Sequence, residues 1–227
     1  MSNEKLIILP FNTELEVTRI KELGRRIIAS FNGFYSSVDV IEPRIATPED
    51  YPDPALDIDY VKESWEAIQE KEARRVFAQD VALRTYTTLN GNPKQGLYRI
   101  LAEEFGPTHA LVVTDMLINY GGLKAGGVAD RELRKVTATT YSIRRDSASK
   151  NGDELDRRWV GVARHELGHL FGLEHHDTLL LNGKHCPMIN RSWDDPEFKT
   201  PKGIAAYMDS RGDRFCSDCT KTIDSFK

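Results

Sequence analysis

Apolar and polar positions alternate along this chain in blocks that read as strands and helices in turn. Residues 5–9 form a short apolar run ended by Pro10, a first strand. Residues 14–30 follow with Leu15, Val17, Ile20, Leu23 and Ile27 at helical intervals of two to four. A second short strand is expected over 38–41, stopped by Pro43. Proline and aspartate crowd 44–59, which reads as a surface loop. The charged stretch 60–89 alternates in sign and is expected to be mostly helical and solvent-facing, with no chemistry of its own.

After the turn signal Asn90-Gly91-Asn92-Pro93, residues 96–105 suit one more short helix and 109–113 an apolar strand. The glycine pairs at 121–122 and 126–127 bracket an expected irregular, flexible stretch. Residues 136–143 (VTATTYSI) have the threonine-rich alternation of a half-buried edge strand. A helix capped by Asn151 or Asp153 then runs to about Phe171. The expected fold is α/β (α+β): a twisted mixed sheet supporting one central helix, then an irregular C-terminal part.

The chemistry gathers on that helix. His165-Glu166-x-x-His169-x-x-Gly172-x-x-His175 places two histidines four apart, one turn above the other on one face. Both imidazoles can reach one metal ion without distorting the backbone. Glu166 is one step round the helix, beside the metal rather than on it, within reach of a water activated there. Gly172 permits the left-handed turn that ends a helix, so that His175 arrives from the side as a third ligand. Three protein nitrogens and one open position describe a catalytic zinc site. His109, far upstream, is expected to be a structural histidine.

Composition narrows the remaining options. At 227 residues the chain suits one domain or two joined subdomains. A net charge of −4 with 29% charged residues gives no basic surface for nucleic acid or anionic membranes. The N-terminal apolar run is too short for a signal peptide, and no segment approaches membrane-spanning length, so a cytoplasmic monomer is expected. Three cysteines, Cys186, Cys216 and Cys219, argue against a disulfide framework. Their clustering, with Cys216-x-x-Cys219, points to metal ligands.

With HELGHLFGLEHH, Cys186-x-Met188 and Cys216-x-x-Cys219 together, the sequence resembles the archaemetzincins, zinc peptidases of the metzincin type. The resemblance covers mainly 108–219. It implies a metzincin-like fold in a single catalytic domain, an upper subdomain (1–172) with the sheet and helix and a lower one (173–227) with the methionine-bearing turn. It also implies a second, structural zinc held by four cysteines of the family. Cys186, Cys216 and Cys219 match three of them, Met188 matches the turn methionine, and His176 stands where the first family cysteine would be. The second set is therefore expected to be His176, Cys186, Cys216 and Cys219, with His185 a rival for the fourth place.

The activity so implied is hydrolysis of a peptide or protein substrate, with two Zn²⁺ per chain, His165, His169 and His175 on the catalytic zinc and Glu166 as general base. Some metzincins use a tyrosine two residues past the turn methionine, a place held here by Asn190. A catalytically latent zinc-binding protein on the same fold is the alternative. A zinc nucleobase deaminase does not fit, since those carry His-x-Glu and Pro-Cys-x-x-Cys, whereas His165 and Glu166 are adjacent and Phe215 precedes Cys216.

Overall fold

In a computed structural model, residues 4–11, 13–44, 86–87, 93–94, 97–115, 118–120, 123–140, 143, 152–189 and 200–227 are described. The apolar run at the N-terminus is strand β1 (Glu4–Pro10), followed by helix α1 (Val17–Ile28) and strand β2 (Tyr35–Val40). Two short strands, β3 (Tyr86–Thr87) and β4 (Pro93–Lys94), precede helix α2 (Leu97–Phe105) and strand β5 (Ala110–Thr114). Strands β6 (Ile118–Tyr120), β7 (Leu123–Ala125), β8 (Gly127–Asp130) and β9 (Lys135–Thr139) come next. Helices α3 (Gly152–Leu170), α4 (Pro201–Ser210) and α5 (Ser217–Asp224) complete the order.

Five strands form the main sheet in the order β2-β1-β5-β9-β8. The first four are parallel to one another, and β8 closes the edge antiparallel to β9. Alternate side chains serve two cores. Leu6, Ile8, Leu111, Val113, Val136 and Ala138 point to one face, where Ile20, Leu23 and Ile27 of α1 and Trp159, Val162, Ala163 and Leu167 of α3 cover them. Ile7, Leu9, Ala110, Val112 and Val128 point to the other, under Leu97, Tyr98 and Leu101 of α2. Strands buried on both faces need continuous apolar runs, which is why β1 and β5 read so plainly in the sequence. On the first face, Gly24 lets α1 approach closely: a Cβ there would stand 2.7 Å from Ile8 Cδ1.

Several expectations change. The threonine-rich strand is interior and fully buried, and ends at Thr139; it is not a half-buried edge. Its polar groups are satisfied inside, Thr137 Oγ1 pairing with Tyr98 Oη at 2.6 Å. Lys135 at its start is buried, donating to the carbonyls of Gly106, Thr108 and Leu133. The edge is β8, and with the β6–β7 pair it gives regular structure to the glycine stretch expected to be irregular. Asp153 lies inside the first turn of α3 and is not its cap. Most of the helical stretch expected over 60–89 lies outside the described residues. Its end is strand instead: Tyr86 and Thr87 pair antiparallel with Lys94 and Pro93, as an aromatic and β-branched pair beside a turn favours. Among the described residues, no helix is long and apolar enough to cross a membrane.

His109 is structural. It is 6% exposed, its Nδ1 lies 2.7 Å from Tyr35 Oη, and its ring stacks on Phe34 and meets the edge of Phe171. Burial, aided by the charges of Arg134 and Lys135, holds its pKa down to about 4 from an ordinary 6.5. Between those values the unfolded chain takes up a proton that the folded chain refuses. This contribution to stability is therefore whole above pH 6.5 and declines as pH falls towards 4, by up to about 3 kcal/mol. Urea midpoints against pH for the parent and His109→Gln check it. The variant should lose less stability over that range, and superimposable slopes would contradict the assignment.

Candidate metal centre

Helix α3 turns Trp159, Val160, Ala163, Leu167 and Leu170 into the core, and Trp159 Nε1 donates to Ala138 O of β9 at 3.2 Å. That fixes the helix against the sheet, with Glu166 toward its edge strand β8. The helix stops where the sequence pattern requires. Gly172 has φ +73°, Gly172 N donates to His169 O at 2.9 Å and Leu173 N to Gly168 O at 3.3 Å. The turn carries His175 back beside the first two histidines.

Each helical histidine is held by a main-chain carbonyl. His165 Nδ1 lies 2.8 Å from Pro187 O and His169 Nδ1 lies 2.9 Å from Leu173 O. A carbonyl only accepts, so Nδ1 carries the proton and donates, leaving each Nε2 with a free lone pair. Burial also holds all three imidazoles below their ordinary pKa, and the positive charge of Arg211 acts on each in the same sense. They are neutral near pH 7.

The Nε2 atoms converge: His169 to His165 at 3.3 Å, and His175 to His165 at 3.1 Å. With the helical pair both in the Nδ1–H form, lone pairs face one another, an arrangement that a cation relieves. Ligands about 2.05 Å from a tetrahedral zinc stand roughly 3.3 Å apart, so the residues present fit that ion. Met188 lies beneath them, fully buried. A Cβ on Gly168 would stand 2.5 Å from its Sδ, so the glycine lets the thioether in.

Glu166 packs against the edge strand. A Cβ at Gly127, the first residue of β8, would stand 2.8 Å from both Glu166 Cδ and Oε1. Burial raises the Glu166 carboxyl to about 7, against the opposing pull of the Arg211 guanidinium. A carboxyl near neutrality can both take and return a proton at physiological pH.

The second constellation lies on the other side of His175. His176, Cys186, Cys216 and Cys219 bring one ligand atom each within 4.8 Å of one another. His176 Nε2 is 3.0 Å from Cys219 Sγ and 3.8 Å from Cys216 Sγ, and the Cys186 and Cys219 sulfurs are 3.9 Å apart. Thiolates about 2.3 Å from a tetrahedral zinc stand roughly 3.7 Å apart, so this set also fits. The Cys186 and Cys219 sulfurs share a hydrogen bond, the largest of the influences that hold the Cys186 thiol down to about 5. Cys216 and Cys219 are presented by the start of α5, with Cys216 at the N-cap. Of the two rival histidines, His176 joins the cysteines; His185 Nδ1 instead lies 2.8 Å from Asp177 Oδ1.

Sequence reasoning therefore named both constellations, and the structure adds four residues to them: Gly127, Gly168, Tyr207 and Arg211. Asn190 lies outside the described residues. A glycine inside a strand is a recognised sign of close approach, but the stretch ending at Gly127 was expected to be irregular, so the sign was missed there. Tyr207 and Arg211 carry no local signal.

No family model and no curated protein matches the chain. Solved structures do. A zinc-dependent peptidase from Methanocorpusculum labreanum superposes with a TM-score of 0.55 at 18% identity, over 96% of this chain and 99% of that one. Archaemetzincin from Archaeoglobus fulgidus, complexed with malonate, gives 0.55 at 17% over 96% and 99%. Archaemetzincin from Methanopyrus kandleri gives 0.57 at 19% over 98% and 94%. At these identities the likeness is one of fold. It extends over nearly the whole chain the resemblance that the sequence carries mainly in its last half.

Replacing Gly127 by alanine forces the Glu166 carboxylate out of its place. A displacement of about 1 Å lowers a reaction that uses this carboxylate by about 100-fold. Turnover and metal content of Gly127→Ala, measured together, check this: turnover should fall while metal content stays at the parent value.

Proposed function

We propose that this chain is a zinc-dependent metallopeptidase that hydrolyses peptide bonds. The observation that carries the reading is the convergence of three neutral imidazole Nε2 atoms, from His165, His169 and His175, beside the half-buried side chain of Glu166. Zinc bound by three imidazoles supplies a Lewis acid and an acidified water at neutral pH.

The chain's own residues do the rest. His165 and His169 are held in one tautomer by the carbonyls of Pro187 and Leu173, so their ligating nitrogens need no rearrangement. Glu166 acts as general base, taking the proton of the attacking water and passing it to the leaving amine. A carboxyl poised near 7 suits both transfers. The peptide lies extended along β8, whose outer edge pairs with no other strand of the main sheet and so offers main-chain hydrogen bonds. The gap left by Gly127 brings that strand against Glu166.

His176, Cys186, Cys216 and Cys219 form the structural zinc site in this reading. Cys186, Pro187 and Met188 are consecutive, so a zinc on Cys186 would clamp the carbonyl that orients His165 and the thioether under Gly168. The chain divides at Gly172 into an upper part, 1–172, bearing the sheet and helix, and a lower part, 173–227, bearing the clamp.

Two measurements test the reading. Zinc per chain, on protein purified under reducing conditions without added metal, should be about two, and His176→Ala should bring it to about one. Zinc-loaded parent should cleave members of a mixed peptide library, and Glu166→Gln should lose at least about 100-fold in rate at unchanged zinc content. A zinc-loaded parent that cleaves nothing would overturn the peptidase reading, and an undiminished Glu166→Gln would overturn the role of Glu166.

A further inference from the structure

One cation close to the three histidines, Arg211, is held by a tyrosine and, among the described residues, not by a carboxylate. Arg211 is the residue at which α4 ends, and its main chain forms a bridge with His185. Its stem lies along α3: a Cβ on Gly161 would stand 3.9 Å from Arg211 Cδ. Gly161 is one helical turn before His165 on the same face. Arg211 Nη2 donates to Tyr207 Oη at 3.0 Å, and the guanidinium carbon sits 4.9 Å from the centre of the Tyr207 ring. Tyr207 Oη in turn donates to Ile189 O at 2.9 Å. Ile189 follows Met188 and stands two residues beyond Pro187, whose carbonyl holds His165. Both anchors of the guanidinium thus adjoin the histidine cluster.

Arg211 Nε is buried, and among the described residues it has no hydrogen-bond partner. The nearby carboxylate of Asp209 is taken by Arg157 and Arg158, at 3.1 and 2.6 Å. A fixed positive charge beside three imidazoles that are to hold a dication opposes binding of that ion. Such a charge persists where an anion arrives during function to offset it. Its charge lowers the pKa of Glu166 and of all three histidines, so the point where they converge lies within its electrostatic reach.

We propose that Arg211 donates to the oxyanion formed when the peptide carbonyl is attacked, and that Tyr207 is the positioning residue that holds it there. The assignment rests on the peptidase reading. As the water oxygen bonds to the carbonyl carbon, the carbonyl π pair moves onto its oxygen and Glu166 takes the water proton. When the carbon–nitrogen bond breaks, that pair re-forms the carbonyl and the amine leaves with the proton from Glu166. Arg211 stays protonated throughout. Before attack its charge faces the Glu166 carboxylate; as Glu166 takes the water proton and becomes neutral, the oxyanion becomes the anion that Arg211 meets, so its hydrogen bond is made in the transition state.

The test uses zinc-loaded full-length protein: parent, Arg211→Met and Tyr207→Phe. Zinc content, kcat and KM are measured on one neutral peptide and on one with an acidic residue after the scissile bond. The affinity of a phosphonamidate peptide, whose tetrahedral phosphoryl group carries the charge of the oxyanion, is measured by calorimetry. Arg211→Met should keep its zinc, lose about 100-fold in kcat on both peptides with KM little changed, and bind the phosphonamidate about 100-fold more weakly. Tyr207→Phe should lose about ten-fold in kcat with zinc kept, as for a misaimed donor.

Parent-level kcat or phosphonamidate affinity in Arg211→Met overturns the proposal while leaving the peptidase reading intact. So does a loss confined to KM or to the acidic peptide, which would make Arg211 a recognition residue. If Arg211→Met loses its zinc, Tyr207→Phe decides, and parent-level kcat there overturns the proposal. A parent that cleaves no peptide overturns both readings together.

Discussion

The hydrogen bond from His165 Nδ1 to Pro187 O is the constraint on which the rest of this centre depends. It does two things that no other contact does together. It fixes the tautomer of the most buried of the three converging histidines, so that a lone pair and not a proton faces its neighbours. It also ties α3 to the loop carrying Cys186, Met188 and Ile189. The converging Nε2 atoms, the thioether under Gly168 and the Tyr207 anchor on Ile189 all follow from where that loop is pinned.

The two constellations are joined through the main chain as well. His175 and His176 are consecutive and face different clusters, so neither can move without the other. His176 N donates to Met188 O at 3.2 Å, and Cys186 N to Thr178 O at 2.9 Å, closing the 176–188 segment on itself. The hairpin between them, turning at Gly183 with φ +75°, carries Leu179 and Leu181 outward and leaves both clusters undisturbed. A hairpin closed at its base lets this segment be long at little cost, since loop length adds little entropy once the ends are fixed.

What the sequence made legible was local. The offsets between His165, Glu166, His169 and Gly172 are fixed by one helix and its stop, so geometry can be read from spacing alone. Strands β1 and β5 were equally plain, because burial on both faces leaves unbroken apolar runs. The sheet's edge was misplaced for the same kind of reason. Alternating threonines resemble a half-exposed strand, and nothing local says that Tyr98, from a helix 39 residues upstream of Thr137, will satisfy them. The preference for His176 over His185 came from the resemblance and not from local geometry; it is the fold that sets His176 against the cysteines and turns His185 toward Asp177.

The charge balance at Glu166 draws these strands together. Burial alone drives a carboxyl upward until it no longer accepts a proton at neutral pH; a nearby cation alone drives it down until it no longer returns one. Here β8, closing over the side chain through the gap at Gly127, supplies the first influence, and Arg211 supplies the second. The two come from opposite ends of the site, one from the sheet edge and one from the end of α4. A carboxyl held near 7 is thus a property of how the sheet-bearing and C-terminal parts meet, and neither segment would set it alone.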